Sequence, residues 1–389
     1  MKKILIVHTG GTIGCFAKEN AREMNRESAS EMRQMLVENF KNSASPYAEY
    51  YQLLTPSNFS WENTTLSESM TLENLNSLVK YIRNVPSADF DGIIVLHGTD
   101  TLAFSAAMLS VALSDTKIPI IMVSGNRPPS DPLSNANDNF TAAVQLIWDN
   151  LSPNVYVTYR NADSIVRLYL ASAIMQSENY TDDFRSASTD KVFNLKDTPL
   201  AQTLTKCQEF SKNRKYFPLI NIDNITKLSE RVLLIKPYTG LKYTVYKDCL
   251  DQGNPDSFKA VLHGTYHSGT VSWPGLVLSE EARRQRALNN ITEAERLETA
   301  AKQQANSPQS FKYLADICEN HHIPLFVAPS FLGSDQYETM NVISANTNAQ
   351  LLNMTTEMAL AKLEVALSCN LTETEISEFM NYEINNEFN

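Results

Sequence analysis

The sequence predicts an α/β fold, with a larger N-terminal domain whose mostly parallel sheet is flanked by helices and a smaller C-terminal α/β domain. Three observations carry this reading. Short aliphatic runs such as residues 4–7 and 92–96 have the character of strands buried on both faces. They alternate with helical stretches at the spacing of βαβ units. The chain has 389 residues, too many for one ordinary core. Patterning assigns residues 1–215 to the first domain, 216–230 to a linker and 231–389 to the second domain, which carries a helical insertion near 279–308.

Taken in order, the strand over 4–7 stops at Thr9-Gly10-Gly11-Thr12-Ile13-Gly14, where the glycines permit unusual backbone and close approach of a ligand. A helix follows over 29–40, with Met32, Met35, Leu36 and Phe40 at helical spacing. A short strand is expected over 50–54. Thr71 caps an amphipathic helix with Leu72, Leu75, Leu78, Val79 and Ile82 on one face, and Pro86 ends it. The strand over 92–96 leads into His97-Gly98-Thr99-Asp100-Thr101. After it come a helix over 101–114, a strand over 118–123, the loop Ser124-Gly125-Asn126-Arg127-Pro128-Pro129, a helix over 136–150 and a strand over 155–158. Periodicity fades between 177 and 228, which reads as a connecting region. The second domain is expected to use strands over 232–235, 260–263 and 325–328 and a helix over 355–368. In 279–308 charges alternate, and Leu288, Ile291, Ala294 and Leu297 mark one covered face of a helix.

Composition narrows the function. Lys plus Arg number 33 against 44 Asp plus Glu, a formal net charge of −11 with no dense basic cluster. Nucleic acid is therefore not expected as a partner, because Lys and Arg on phosphates supply most of that affinity. Five scattered cysteines without a Cys-x-x-Cys pair read as reduced thiols. The first apolar run is too short for a secretory leader. No stretch reaches the ~18 apolar residues of a membrane helix. A cytoplasmic location without a membrane partner is the expectation.

Both glycine-flanked threonines stand where a buried strand ends, the place where open parallel sheets bind ligands. One isolated threonine there is ordinarily a turn or cap residue. Two of them, one followed by a carboxylate, point to a site. A threonine hydroxyl can be the nucleophile of acyl transfer when a base activates it and donors meet the oxyanion. Glycine loops and helix starts supply such donors. Asp100 suits an ammonium and Ser67 a carboxylate, the two ends of a small amino-acid amide. A dinucleotide loop fits poorly because the first glycine spacing is wrong. His263 and His267 lack a third ligand for a metal.

The two threonine motifs resemble the signature motifs of the bacterial-type L-asparaginase (asparaginase/glutaminase) family, in the same order and each after a buried strand. The segments Leu66-Ser67-Glu68-Ser69-Met70-Thr71, Ser124-Gly125-Asn126, 232–240 and Asn353-Met354-Thr355 extend the resemblance over both halves. It implies Thr12 as first nucleophile and Thr99 as second catalytic threonine. It places Ser67, Glu68 and Asp100 at the substrate's charged ends, with Gly11, Gly98 and Asn126 as further binding positions. It also implies no metal or organic cofactor, and a homodimer or homotetramer. Two departures stand out. No Tyr occurs between Cys15 and Pro46, where the family carries one beside the nucleophile. Met175 falls where the family pairs a lysine with its second threonine, and Arg167 is the nearest cation in sequence. The expected activity is hydrolysis of asparagine, or a related small amide, to the acid and ammonia. The alternatives are a pocket that binds a small amino acid without turnover, and an amidase of different specificity.

Overall fold

The computed structural model describes residues 2–18, 21–23, 26–59, 64–330 and 336–388. It divides into two compact units, Met1–Leu228 with Tyr382–Asn389, and Ser229–Asn381. The first unit is organised on seven strands: β1 (Ile4–His8), β2 (Leu54–Pro56), β3 (Gly92–Leu96), β4 (Ile120–Val123), β5 (Val155–Arg160), β6 (Val166–Leu170) and β7 (Val192–Asn194). Their order across the sheet is β7-β6-β5-β4-β3-β1-β2. The strands β1 to β5 are parallel, and β6 runs antiparallel to both its neighbours. This is the mostly parallel sheet that the sequence predicts.

Helices α1 (Arg26–Lys41), α2 (Leu72–Arg83), α3 (Leu102–Ala112), α4 (Ala136–Trp148) and α5 (Leu200–Asn213) cover the sheet. Ile4 and Ile6 of β1 join one core with Leu36 and Phe40 of α1 and Phe140 of α4. Leu5 and Val7 join the opposite core with Leu78 of α2 and Leu102 of α3. Alternate residues of one apolar run thus feed two cores, which is why no polar residue interrupts it. The start of α2 is a capping box: Thr71 Oγ1 accepts from Asn74 N at 3.2 Å, and Asn74 Oδ1 accepts from Thr71 N at 3.1 Å.

Three expectations shift. Residues 48–53 form a 3₁₀ turn, and β2 begins only at Leu54. Tyr50 of this stretch packs instead on Trp148, 5.5 Å away between ring centroids, beside Tyr47 just before the turn at 5.3 Å. The stretch 177–228 is more than a connection, since it holds β7 and α5, with Cys207 and Phe210 in the first core. The segment 382–388 returns to the first unit, whereas patterning assigns it to the second. Asn385 Nδ2 donates to Ser110 Oγ at 2.7 Å and Asn154 Oδ1 at 2.9 Å, and Ser172 Oγ donates to Asn385 O at 2.7 Å.

The second unit carries four parallel strands in the order β8 (Val232–Ile235), β9 (Ala260–His263), β10 (Leu325–Val327) and β11 (Gln350–Leu351). The insertion is two helices packed on each other, α6 (Leu276–Ala287) and α7 (Ile291–Ala305), rather than one. The chain breaks at Asn289, whose φ is 59°, and Leu288 is 66% exposed, so it lies off the covered face. Further along, α8 (Phe311–Asn320) buries Phe311 and Leu314 with Val261 and Val327, and α9 (Glu338–Asn346) adds Met340 and Ile343. Thr355 caps α10 (Thr356–Ser368) by accepting from Met358 N at 3.1 Å. Among the described residues no helix is long and apolar enough to cross a membrane.

Candidate active site at the ends of two parallel strands

The two threonine motifs meet through their glycines. Thr9 fastens the first motif to the end of β3, its Oγ1 and N both donating to Leu96 O, at 2.9 and 3.0 Å. Thr65 lies alongside, donating from its N to Thr9 O at 2.9 Å and accepting from Gly11 N at 3.1 Å. Gly10 has a φ of 117° and a Cβ there would sit 1.8 Å from Thr65 O, so only glycine fits. A Cβ on Gly11 would lie 2.2 Å from Gly98 Cα, and one on Gly98 would lie 2.3 Å from Ser67 Oγ. Gly11, Gly98 and Ser67 therefore touch, and Thr12 and Thr99 each follow one of those glycines. Thr12 and Thr99 are half-buried and Asp100 is exposed.

Ser67 holds Asp100 in place. Its Oγ donates to Asp100 Oδ2 at 3.0 Å and accepts from Asp100 N at 3.2 Å, while Ser67 O accepts from Thr101 Oγ1 at 2.9 Å. The one proton of the Ser67 hydroxyl is thus committed to the carboxylate. Glu68 is exposed in the adjoining 3₁₀ turn, Ser67–Ser69. Asn126 has partners within the chain: its Nδ2 donates to Asp182 Oδ2 at 3.1 Å and its Oδ1 accepts from Asn135 N at 3.1 Å, fastening the loop after β4. Several main-chain donors expected to face an oxyanion already have acceptors. Gly11 N bonds Thr65 O, Asp100 N bonds Ser67 Oγ and Leu102 N bonds Thr99 O at 3.3 Å.

Two histidines lie under these loops. His8 ends β1 and His97 follows β3, both buried. Burial holds each imidazole at about 4, and for His8 the charge of Arg33 acts in the same direction. Both are neutral near pH 7. Nδ1 of His97 lies 2.8 Å from Gly98 O, so that nitrogen carries the proton. The His8 ring presses on the first motif, where a Cβ on Gly14 would meet Nε2 at 2.4 Å.

Arg167 does not replace the missing lysine, because Asp163 holds its guanidinium through contacts of 2.5 and 2.9 Å. Among the described residues a side chain that reaches Thr99 is Gln176, whose Nε2 donates to Thr99 O at 3.2 Å. Sequence reasoning misses Gln176, and also Thr9 and Thr65. The first stands one residue beyond the position aligned with the lysine, the second opens a quoted motif, and Thr65 leaves no sequence signal. Among the described residues no group of three His, Cys, Asp or Glu side chains is placed to hold a metal ion.

The fold and this site define an α/β protein in which two glycine-threonine loops touch, beside a serine-held carboxylate, where two parallel strands end. Residues 3–208 match the family described as Asparaginase, N-terminal, which is more than half of the chain. The chain belongs to the asparaginase family. It is 29% identical over 205 residues to a glutamyl-tRNA(Gln) amidotransferase subunit of Methanococcus vannielii, covering 51% of this chain and 46% of that protein. With the equivalent amidotransferase subunit of Aeropyrum pernix it is 28% identical over 226 residues, covering 57% and 50%. The chain spans about half the length of the curated relatives it matches. The thermostable L-asparaginase from Thermococcus kodakarensis shares its fold, with a TM-score of 0.62 and 17% identity over 100% of this chain and 99% of that one. L-asparaginase I from Vibrio cholerae gives 0.61 and 18% over the same shares.

Proposed function

We propose that the chain hydrolyses L-asparagine, or a closely related small amide, to the acid and ammonia, with Thr12 as nucleophile. The observation that carries this reading is the contact of Gly11 with Gly98, which starts Thr12 and Thr99 from one point beside the Ser67-bound Asp100. The substrate ammonium pairs with Asp100, and Glu68 adds a second negative charge. Thr12 Oγ attacks the amide carbon and gives its proton to the leaving nitrogen. The C–N bond breaks, ammonia departs and an acyl-threonine remains. Water then attacks the ester carbon, the C–O bond to Thr12 breaks, and the hydroxyl takes back a proton. Thr99 lends its hydroxyl to the tetrahedral oxygen. Acyl transfer of this kind needs a nucleophile, proton transfer and donors, so no cofactor is invoked. We place the reaction in the cytoplasm, in keeping with cysteines that form no disulfide among the described residues, and in a homodimer or homotetramer.

One observation favours a second reading. The curated relatives are amidotransferase subunits, so the amide released is that of glutamine and the chain works within a larger assembly. With a net charge of −11, any nucleic-acid contact would fall to another subunit. Ammonia release from asparagine, glutamine and a panel of small amides separates these readings. Turnover that Thr12→Ala and Thr99→Ala each abolish, with aspartate still bound, is the expected result. Turnover that survives both substitutions overturns the site. Aspartate binding without turnover of any amide leaves a pocket that does not catalyse.

A further inference from the structure

We propose that Gln176 is a positioning residue, its side-chain amide bracketing the turn that carries Thr99 and Asp100. The inference rests on the reading of those two residues given above. Helix α3 begins without the usual cap. Thr101 stands at the cap position, with φ −127° and ψ 20°, but makes no side-chain cap bond, because its hydroxyl donates to Ser67 O at 2.9 Å. The first N–H groups of a helix have no acceptor within it. One of them, Ala103 N, is met from outside, donating to Gln176 Oε1 at 3.4 Å across 73 residues of sequence. The same amide donates from Nε2 to Thr99 O at 3.2 Å. One planar group therefore grips the main chain on both sides of Asp100-Thr101.

Each bond is longer than the usual 2.9–3.0 Å, so neither is strong alone. Together they fix the direction of the turn. The holder is itself held. Gln176 follows Ile174–Met175, which pairs with Arg185–Ser186 as a two-stranded hairpin, and Asp182 within that hairpin receives Asn126 Nδ2 at 3.1 Å. The bracket needs a donor and an acceptor on one rigid group, which an amide has and a lysine lacks. An amide moves no proton near neutral pH. The residue beside Thr99 in this chain therefore orients the turn and leaves proton transfer to the hydroxyls and the substrate.

Gln176→Glu tests this with a signature that a merely structural role would not give. The ionised carboxylate still accepts from Ala103 N but sets an oxygen against Thr99 O, whereas the protonated carboxyl recovers a donor. The charged residues carried by the turn and the hairpin are Asp100, and Glu178, Asp182, Asp183 and Arg185. Thr99 O, 3.2 Å from the replaced Nε2, and Asp100 on the same turn disfavour the ionised form and so raise the new carboxyl's pKa. Relative to wild type at each pH, kcat for ammonia release from asparagine by Q176E is expected to be about tenfold lower at pH 8 and to recover to within about threefold at pH 5, the scale of one charge-assisted hydrogen bond. Q176A is expected to stay low at every pH. A Q176E ratio that is flat with pH, or a Q176A enzyme equal to wild type, overturns the bracket. If wild type turns over none of the amides, the hydrolase reading fails by itself, and calorimetric affinity for aspartate then reports on Asp100. A loss of affinity confined to high pH in Q176E supports the bracket, and an affinity unchanged by the substitution overturns it. A wild-type chain that neither turns over amides nor binds aspartate overturns both.

Discussion

The pentapeptide Val-Leu-His-Gly-Thr occurs twice, as Val95-Leu96-His97-Gly98-Thr99 in the first unit and Val261-Leu262-His263-Gly264-Thr265 in the second. Each copy ends a parallel strand, and each histidine is buried with Nδ1 on the carbonyl of the following glycine, at 2.8 and 2.5 Å. The local structures are near duplicates, but their neighbours differ. Gly98 is packed against Gly11 and Ser67, whereas a Cβ on Gly264 would be 3.4 Å from its nearest atom. Thr99 precedes an exposed Asp100 held by Ser67, while Thr265 Oγ1 donates to Pro329 O at 2.9 Å. Placing a threonine at a strand end is therefore not enough. A site arises where a second loop is brought against the first.

The strongest way to break this comparison is to fill both glycines. In Gly98→Ala the new methyl meets Ser67 Oγ at 2.3 Å, Ser67 Cβ at 2.7 Å and Gly11 Cα at 2.9 Å, two of them on atoms that cannot swing away. Ammonia release is expected to fall about 100-fold or more, because a misplacement of about 1 Å costs that much, with a stability loss of about 1–3 kcal/mol. Gly264→Ala meets only ordinary contact and should stay within about 1 kcal/mol of wild type. Urea unfolding and the ammonia assay together decide it. Equal losses in the two variants would erase the distinction between the copies.

A second effect, on stability rather than turnover, is expected from acid, and it is shared. Burial lowers His8, His97 and His263 from 6.5 to about 4. The folded chain then binds fewer protons than the unfolded one below pH 6.5. The stability each gives is complete above pH 6.5 and is lost as pH falls from 6.5 through about 4, up to about 3 kcal/mol per histidine. Replacing His97 or His263 by Asn should each remove about 1.4 kcal/mol per pH unit from the slope of unfolding free energy between pH 6 and 4.5. Unfolding curves at several pH values read this directly. A slope unchanged in both variants would mean that neither imidazole is neutral when folded.

What the sequence made legible follows from where the signal lies. The strands β1 and β3 stand out because unbroken aliphatic runs stop at glycines, and Thr71 stands out because a cap residue directly precedes an apolar face. The contact of Gly11 with Gly98 is implied by the pairing of the two motifs but has no trace in either one alone. Helix α5 hides because its buried face is Thr203, Cys207 and Phe210, too sparse and too polar to show a period. The return of 382–388 hides for a related reason, since Asn385, Asn386 and Glu387 enter the first unit buried through hydrogen bonds, and a polar stretch reads as exposed. Gln176 hides because its partners lie 73 and 77 residues away, beyond any local pattern.

The finest difference between the copies is at Nε2 of the two histidines. Nδ1 faces a carbonyl in both, so Nε2 is the acceptor in both. His263 Nε2 lies 2.9 Å from Tyr243 Oη, which therefore donates, whereas His97 Nε2 is buried with no hydrogen-bond partner among the described residues. Tyr243→Phe would make the second copy like the first at this atom, leaving a buried acceptor unmet while keeping the ring. The expected loss is about 1–2 kcal/mol, the scale of one buried hydrogen bond whose partner is left behind. Ammonia release should change by less than about twofold, because the bond orders the second copy, whose threonine and glycine take no part in the proposed chemistry. Urea unfolding of the variant checks the first figure and steady-state kinetics the second. An activity loss that matches that of Gly98→Ala would show that the second copy acts on the site after all, and that a shared pentapeptide carries more than a shared way of ending a strand.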